Sequence, residues 1–154
     1  MGEGMKKLLV KDIYNPKQTV ALLAREDESF FSVVKKFVEA PYIRGLFVVE
    51  KNGCYQGFIK RESLLQWAKI KFGDISGLEE YLLKYSKNAT AKELIYPYSE
   101  KATVYPEDDA VKCLRLMLTY DLTDIPVIDK SSGQILGDVT IPELLAKVLE
   151  ASSG

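Results

Sequence analysis

Apolar residues recur along the chain with two alternating periods. Phe30, Phe31, Val34, Phe37 and Val38 keep the i, i+1, i+4, i+7, i+8 spacing of one helix face, and Ala110, Val111, Leu114, Met117 and Leu118 repeat that spacing. A short apolar strand follows each helix, Leu46–Glu50 in the first case and Ile125–Asp129 in the second. Asn52-Gly53 and Ser132-Gly133 then read as hairpin turns, leading to second strands at Tyr55–Ile59 and Ile135–Val139. Leu64-Leu65 and Leu144-Leu145 open a final helix in each case. Upstream, Lys11-Asp12-Ile13 resembles Lys92-Glu93-Leu94.

The two series match at a shift of about eighty residues, too long for a solenoid period and with too few copies for an array. The pattern predicts two copies of one strand-helix-strand-strand-helix unit related by a pseudo-twofold axis. Between them, Asp74–Asn88 carries Leu78, Tyr81, Leu82 and Tyr85 at helical spacing and predicts a linker helix, with Ser76 as cap and Glu79 three residues on. The expected division is 6–72 for the first unit, 73–89 for the linker and 90–151 for the second unit.

Composition narrows the function. The chain has 154 residues, 47% hydrophobic and 28% charged, with a net charge of −1. That is a globular composition, and it argues against a dedicated nucleic-acid binder, which carries a basic excess. No apolar run reaches the ~18 residues of a membrane span. The Lys6–Lys11 stretch is too short in apolar residues for a signal peptide. Met1–Gly4 is compatible with a vector-derived remnant, which would leave Met5 as the natural start. Cys54 and Cys113 lack metal-type spacing and read as small apolar fillers in a cytoplasmic chain. Histidine is absent, which removes the commonest general base and every Ser-His or Cys-His pair. Glu26-Asp-Glu28 and Glu107-Asp-Asp109 stand at the two helix starts, where acids complement the macrodipole. The spacing of Phe30, Phe31, Phe37 and Phe47 assigns them to the core, and Tyr96-Pro-Tyr98 reads as a turn entering the second unit.

The repeated segments, above all Val104-Tyr-Pro-Glu-Asp-Asp109, Ile125-Pro-Val-Ile-Asp129 and Gly137-Asp-Val-Thr-Ile-Pro-Glu-Leu144, resemble a pair of CBS domains, also called a Bateman module. The resemblance implies an α/β (α+β) fold: two pseudo-twofold-related units, each a small mixed sheet with helices on one side, the sheets packed face to face. It implies a homodimer of such modules. It further implies a sensor that binds an adenosine-containing ligand (AMP, ADP, ATP, S-adenosylmethionine or NAD) in the cleft between units, although many members bind nothing known.

The family's nucleotide pattern is Gly, two apolar residues, Ser or Thr, two free residues, then Asp, with the hydroxyl on a phosphate and the Asp on the ribose. Gly137 and Thr140 match it; Asp138 stands where an apolar residue is usual, and Glu143 replaces the Asp. Thr140 and Glu143 equally form a capping box with Pro142 in the first turn, so the motif serves a helix start and a ligand alike. In the first repeat, Lys60 takes the Thr place and Ser63 the Asp place. Arg44 lies three residues before Phe47, which aligns with Pro126, where some members place a phosphate-gripping arginine. Arg44, Lys60 and Arg61 are therefore candidate phosphate ligands, the alternative being a solvated basic edge. The resemblance puts an adenine near Thr103, Val104 and Tyr105 and near Asp124, Ile125 and Pro126. No Walker loop, dinucleotide fingerprint or RNP-type motif is present. The favoured function is a non-catalytic regulatory module. The alternative is a dimerisation or docking module with degenerate clefts, serving an effector protein.

Overall fold

Both repeated segments fold as helices, each starting on a side-chain cap, although Phe31, Val38, Val111 and Leu118 of the predicted faces are exposed. The computed structural model describes residues 7–14, 23–71 and 78–153. Ser29 caps α1 (Phe30–Glu39) by accepting the Ser32 N–H, and Asp109 caps α4 (Ala110–Tyr120) by accepting the Val111 N–H. The other elements are β1 (Leu23–Arg25), β2 (Gly45–Val49), β3 (Tyr55–Lys60), α2 (Arg61–Lys71), α3 (Leu78–Ser86), β4 (Asp124–Ile128), β5 (Ile135–Thr140) and α5 (Ile141–Ser153). Helix α3 lies within the stretch whose spacing predicts a helix, inside the unit Leu22–Ser99; its proposed cap, Ser76, lies outside the described residues.

The chain divides into two compact units, and their boundaries are not those of the repeats. One unit is Leu22–Ser99; the other joins Glu100–Gly154 to the N-terminal segment Met1–Ala21. The flanks explain the division. In the first unit, Phe30 N–H donates to Ala89 O, and Ala91 N–H donates to Glu28 O. In the second, Ala110 N–H donates to Leu8 O, and Val10 N–H donates to Asp108 O. Short 3-10 turns, Ala91–Leu94 and Val10–Asp12, follow these contacts. The match of Lys11-Asp12-Ile13 to Lys92-Glu93-Leu94 is thus a match of two equivalent docking segments, each held by the start of the other repeat's first helix.

The sheet registers repeat residue for residue. Gly45, Leu46, Phe47, Val48 and Val49 pair with Lys60, Ile59, Phe58, Gly57 and Tyr55. Asp124, Ile125, Pro126, Val127 and Ile128 pair with Thr140, Val139, Asp138, Gly137 and Ile135. Both ladders skip one residue at the same place, after Val48 and after Val127, leaving Gln56 and Leu136 as the extra residues. On the outer side β1 runs parallel to β2, with Ala24 opposite Val48. In the second unit that strand is reduced to one parallel bridge, Val104 to Val127.

Leu46, Val48 and Ile59 face the helices and pack with Val33 and Phe37 of α1 and Trp67 of α2. The Phe30 and Trp67 rings stack at 4.4 Å. Phe31 corrects the expectation that Phe30, Phe31, Phe37 and Phe47 are all core: it is 70% exposed. It follows Phe30 by one residue, about 100° around the helix, which carries it off the buried stripe.

Candidate functional site

Strand alternation decides which candidate residues share a face. Val104 and Val127 are paired and fully buried on the helix side. Thr103 and Tyr105 therefore belong to the opposite face, together with Asp124, Pro126, Asp138 and Thr140. On that face Asp124 lies directly across from Thr140, and Pro126 across from Asp138. The register brings together Asp124, Pro126 and Thr140, and Thr103 and Tyr105 flank the bridge residue Val104. Ile125 does not join them: it pairs with Val139 on the helix side, and both are fully buried.

The face is acidic and mostly out of solvent. Asp138 is 1% exposed and Asp124 7% exposed. Thr123 donates its hydroxyl to Asp124 Oδ2 at 3.1 Å. Tyr105 donates its N–H to Asp108 Oδ2 at 2.7 Å, and its ring has the ammonium groups of Lys130 and Lys112 at 5.6 and 6.0 Å. At the head of α5 the capping box is complete. Thr140 donates its N–H and its hydroxyl to Glu143 Oε1, at 3.1 and 2.9 Å, and Glu143 returns its N–H to the Thr140 hydroxyl at 3.4 Å.

The first unit fills the matching positions differently. Phe47 and Phe58 occupy the places of Pro126 and Asp138, with ring centroids 5.1 Å apart. Gly45 stands in the place of Asp124, and an added Cβ there would meet the Phe58 ring and the Ile59 carbonyl. Lys60, in the place of Thr140, has its Nζ 3.9 Å from the centre of the Tyr96 ring, and its N–H donates to Ser63 Oγ at 3.0 Å. The Ser63 hydroxyl thus supplies half of a capping box.

Arg44 is exposed one residue before β2. Arg61 is turned to the end of α1. Its Nε donates to Ile43 O at 2.8 Å, and its Nη2 reaches the carbonyls of Pro41, Ala40 and Phe37 at 2.6, 3.2 and 3.4 Å. The guanidinium of Arg61 is thus engaged by main-chain carbonyls, while the Lys60 ammonium lies over the Tyr96 ring. The neighbourhood of Arg61 is a helix C-terminus whose free carbonyls favour a cation.

A cleft of about 490 Å³ also lies in this unit, lined by Ser63, Gln66, Trp67 and the segment Glu93–Pro97. Sequence reasoning missed it, and missed the Lys60–Tyr96 stack, because the partners are far apart in sequence and carry no shared motif. Among the described residues no cluster of His, Cys, Asp and Glu could hold a metal ion, and no helix is long and apolar enough to cross a membrane. Both cysteines are thiols. Burial, with Asp108 nearby, pushes the Cys113 thiol up to about 12, which keeps it protonated and inert.

The profile of the CBS domain matches the chain twice, at residues 10–69 and 91–150. The chain belongs to the CBS-domain family. As a CBS pair it resembles solved structures in fold. The CBS-pair protein CBSX2 from Arabidopsis thaliana is 19% identical over 97% of this chain and 99% of that one, with a TM-score of 0.72. The complex of CBSX2 with AMP is 20% identical over 94% and 98%, with a TM-score of 0.68. The cytosolic domain of the Mg2+ channel MgtE in complex with ATP is 21% identical over 88% of this chain and 46% of that one, with a TM-score of 0.61. No protein with a curated description matches the sequence.

Proposed function

We propose that this CBS pair is a non-catalytic regulatory module of the cytoplasm that senses an adenosine-containing ligand. The observation that carries this reading is the strand pairing of the second unit, which sets Asp124 across from Thr140 and Pro126 across from Asp138, beside the Val104–Val127 bridge. Main-chain groups at Thr103 suit a base edge, and carboxylates suit ribose hydroxyls. The AMP complex of CBSX2 and the ATP complex of MgtE support the ligand class at the level of the fold. Sensing is linkage: a ligand that binds one arrangement of the module better raises the population of that arrangement.

The test is thermal unfolding with AMP, ADP, ATP, S-adenosylmethionine and NAD at millimolar concentration. A ligand at a hundred times its dissociation constant adds about 2.7 kcal/mol of stability. A raised midpoint that weakens in Thr140→Ala places the site on the second unit; one that weakens in Arg44→Ala places it on the first. No shift with any compound defeats the reading.

A dimerisation or docking module is the second reading, favoured by the helix surfaces. Phe31, Val38 and Leu65 are exposed in the first unit, and Val111, Leu118 and Leu145 are exposed at the same repeat positions in the second. Exposed apolar residues that recur in both repeats suit a homodimer or an effector protein. Sedimentation of the ligand-free protein as a monomer at micromolar concentration would count against the homodimer.

A further inference from the structure

Helix α3 turns an apolar centre to solvent between two ends of opposite charge. Leu82 and Leu83 are 42% and 66% exposed. Glu79 and Glu80 are exposed in the first turn, Lys84 is exposed in the last, and Lys87 is exposed in the turn that follows. Glu79, Leu83 and Lys87 are spaced i, i+4, i+8, so one stripe reads acid, leucine, base. The macrodipole favours that order of charge but asks nothing of the leucines between. A helix of a folded domain ordinarily turns its apolar residues inward, and α3 turns two outward.

The stripe is its own complement when reversed. Eight residues span about 12 Å of helix, beyond the reach of an ion pair between Glu79 and Lys87 of one chain. A second α3 laid antiparallel and centred on Leu83 sets Glu79 of each copy against Lys87 of the other and closes the leucines on each other. Such a contact is isologous, each copy giving and receiving the same residues. Reversal symmetry of this kind is what a second copy needs and what a partner of another sequence does not.

We propose that α3 is a contact between copies of this chain, an antiparallel helix pair about a twofold axis at Leu83. It is separate from the exposed apolar residues of α1, α2, α4 and α5, and it does not depend on adenosine sensing. A nine-residue helix is about 13 Å long, so the buried area is small and the pairing is transient, formed at high protein concentration.

The experiment is sedimentation of the full chain from micromolar to millimolar concentration at low salt, where ion pairs are least screened. Association rises with concentration and falls as salt is added. Leu83→Lys, a change at an exposed position, weakens it at least about tenfold. Glu79→Lys and Lys87→Glu each weaken it several-fold alone, because each variant sets like charges against each other at both ends. An equimolar mixture of the two recovers the association, because unlike charges then meet at both ends. In a Cys54→Ser background, Leu83→Cys is trapped as a disulfide between copies under mild oxidation and Glu79→Cys is not, since only position 83 faces itself across the axis. A monomer at millimolar concentration overturns the proposal. An association that Leu83→Lys leaves unchanged does so too, by placing the contact elsewhere, and so does a mixture that associates no better than its separate components.

Discussion

The two repeats pair their inner strands in one register and load the same four positions with different chemistry. Gly45, Phe47, Phe58 and Lys60 form an aromatic patch with a cation at its end; Asp124, Pro126, Asp138 and Thr140 form an acidic patch with a hydroxyl at its end. The helix side shows no such divergence: Leu46, Val48 and Ile59 correspond to Ile125, Val127 and Val139, all buried. Packing against helices constrains one face to apolar residues of similar size, and leaves the other face open to specialise. Asp138 and Thr140, two positions of the segment that resembles the family's nucleotide pattern, lie on that second face, where the repeats diverge without losing the fold.

The largest effect should come from emptying the aromatic patch. Phe58 is 2% exposed and stacks on Phe47, so Phe58→Ala costs about 3–5 kcal/mol in urea unfolding. Gly45→Ala costs about 1–3 kcal/mol by overpacking against the same ring. In the double variant the two losses are less than additive, because the ring that crowds position 45 is gone. Additive losses would mean that the Ile59 carbonyl, not the ring, excludes a side chain from position 45.

The ends of the first helices differ next. Helix α4 ends on Asp121 in the left-handed region at φ 55, and its N–H and that of Leu122 both return to Met117 O. Helix α1 ends without a left-handed residue, at Ala40-Pro41, and its last carbonyls take the Arg61 guanidinium instead. Arg61→Ala should cost about 1–3 kcal/mol, and Arg61→Lys should recover little, since one ammonium cannot span that fork of acceptors. The matching Ile141 makes no such contact through its side chain, and Ile141→Val should cost less. Equal losses at the two positions would remove Arg61 as the stop of α1.

Much of this was legible in advance, for a physical reason. The helix and strand periods, the Asn52-Gly53 and Ser132-Gly133 turns and the Thr140–Glu143 cap are local signals, and duplication let each be read twice. The flanking segments were visible only as a match between Lys11-Asp12-Ile13 and Lys92-Glu93-Leu94; which repeat each one docks against is a tertiary choice with no local signature. Arg61 looked like a phosphate ligand because its cationic character is local information, while the carbonyls of Phe37, Ala40, Pro41 and Ile43 reach it only through the fold. Phe31 was misplaced because the spacing of a helix face does not say how wide the buried stripe is.

The capping box gives a smaller contrast. Thr140→Ala removes the hydroxyl that takes the Glu143 N–H and should cost about 1 kcal/mol, with Thr140→Ser close to the original protein. Lys60→Ala, at the same repeat position, removes a side chain from the Tyr96 ring but leaves the N–H that donates to Ser63, so α2 keeps its start. Hydrogen exchange should report faster opening of the first turn of α5 in Thr140→Ala and no such change for α2 in Lys60→Ala. The reverse pattern would show that the ammonium–ring contact, not the cap, holds the strand-to-helix junction.

The smallest effect separates the N-caps Ser29 and Asp109, because only one of them titrates. The Val111 N–H, with Lys7 at 3.4 Å, holds the Asp109 carboxyl below its ordinary 3.8. An acid whose folded-state pKa is depressed adds stability that is fully present above its unfolded value and is lost as pH falls through the folded one. The contribution of Asp109 should therefore be constant near neutrality and disappear at pH below 3.8, while that of Ser29 stays flat. Asp109→Asn keeps a capping oxygen and removes the titration. Thermal midpoints of the two proteins should then differ near neutrality and converge as the pH is lowered past the carboxylate range. Parallel curves would mean that the cap at Asp109 works through its hydrogen bond alone, as the one at Ser29 does, and that the two repeats start their first helices by the same physics.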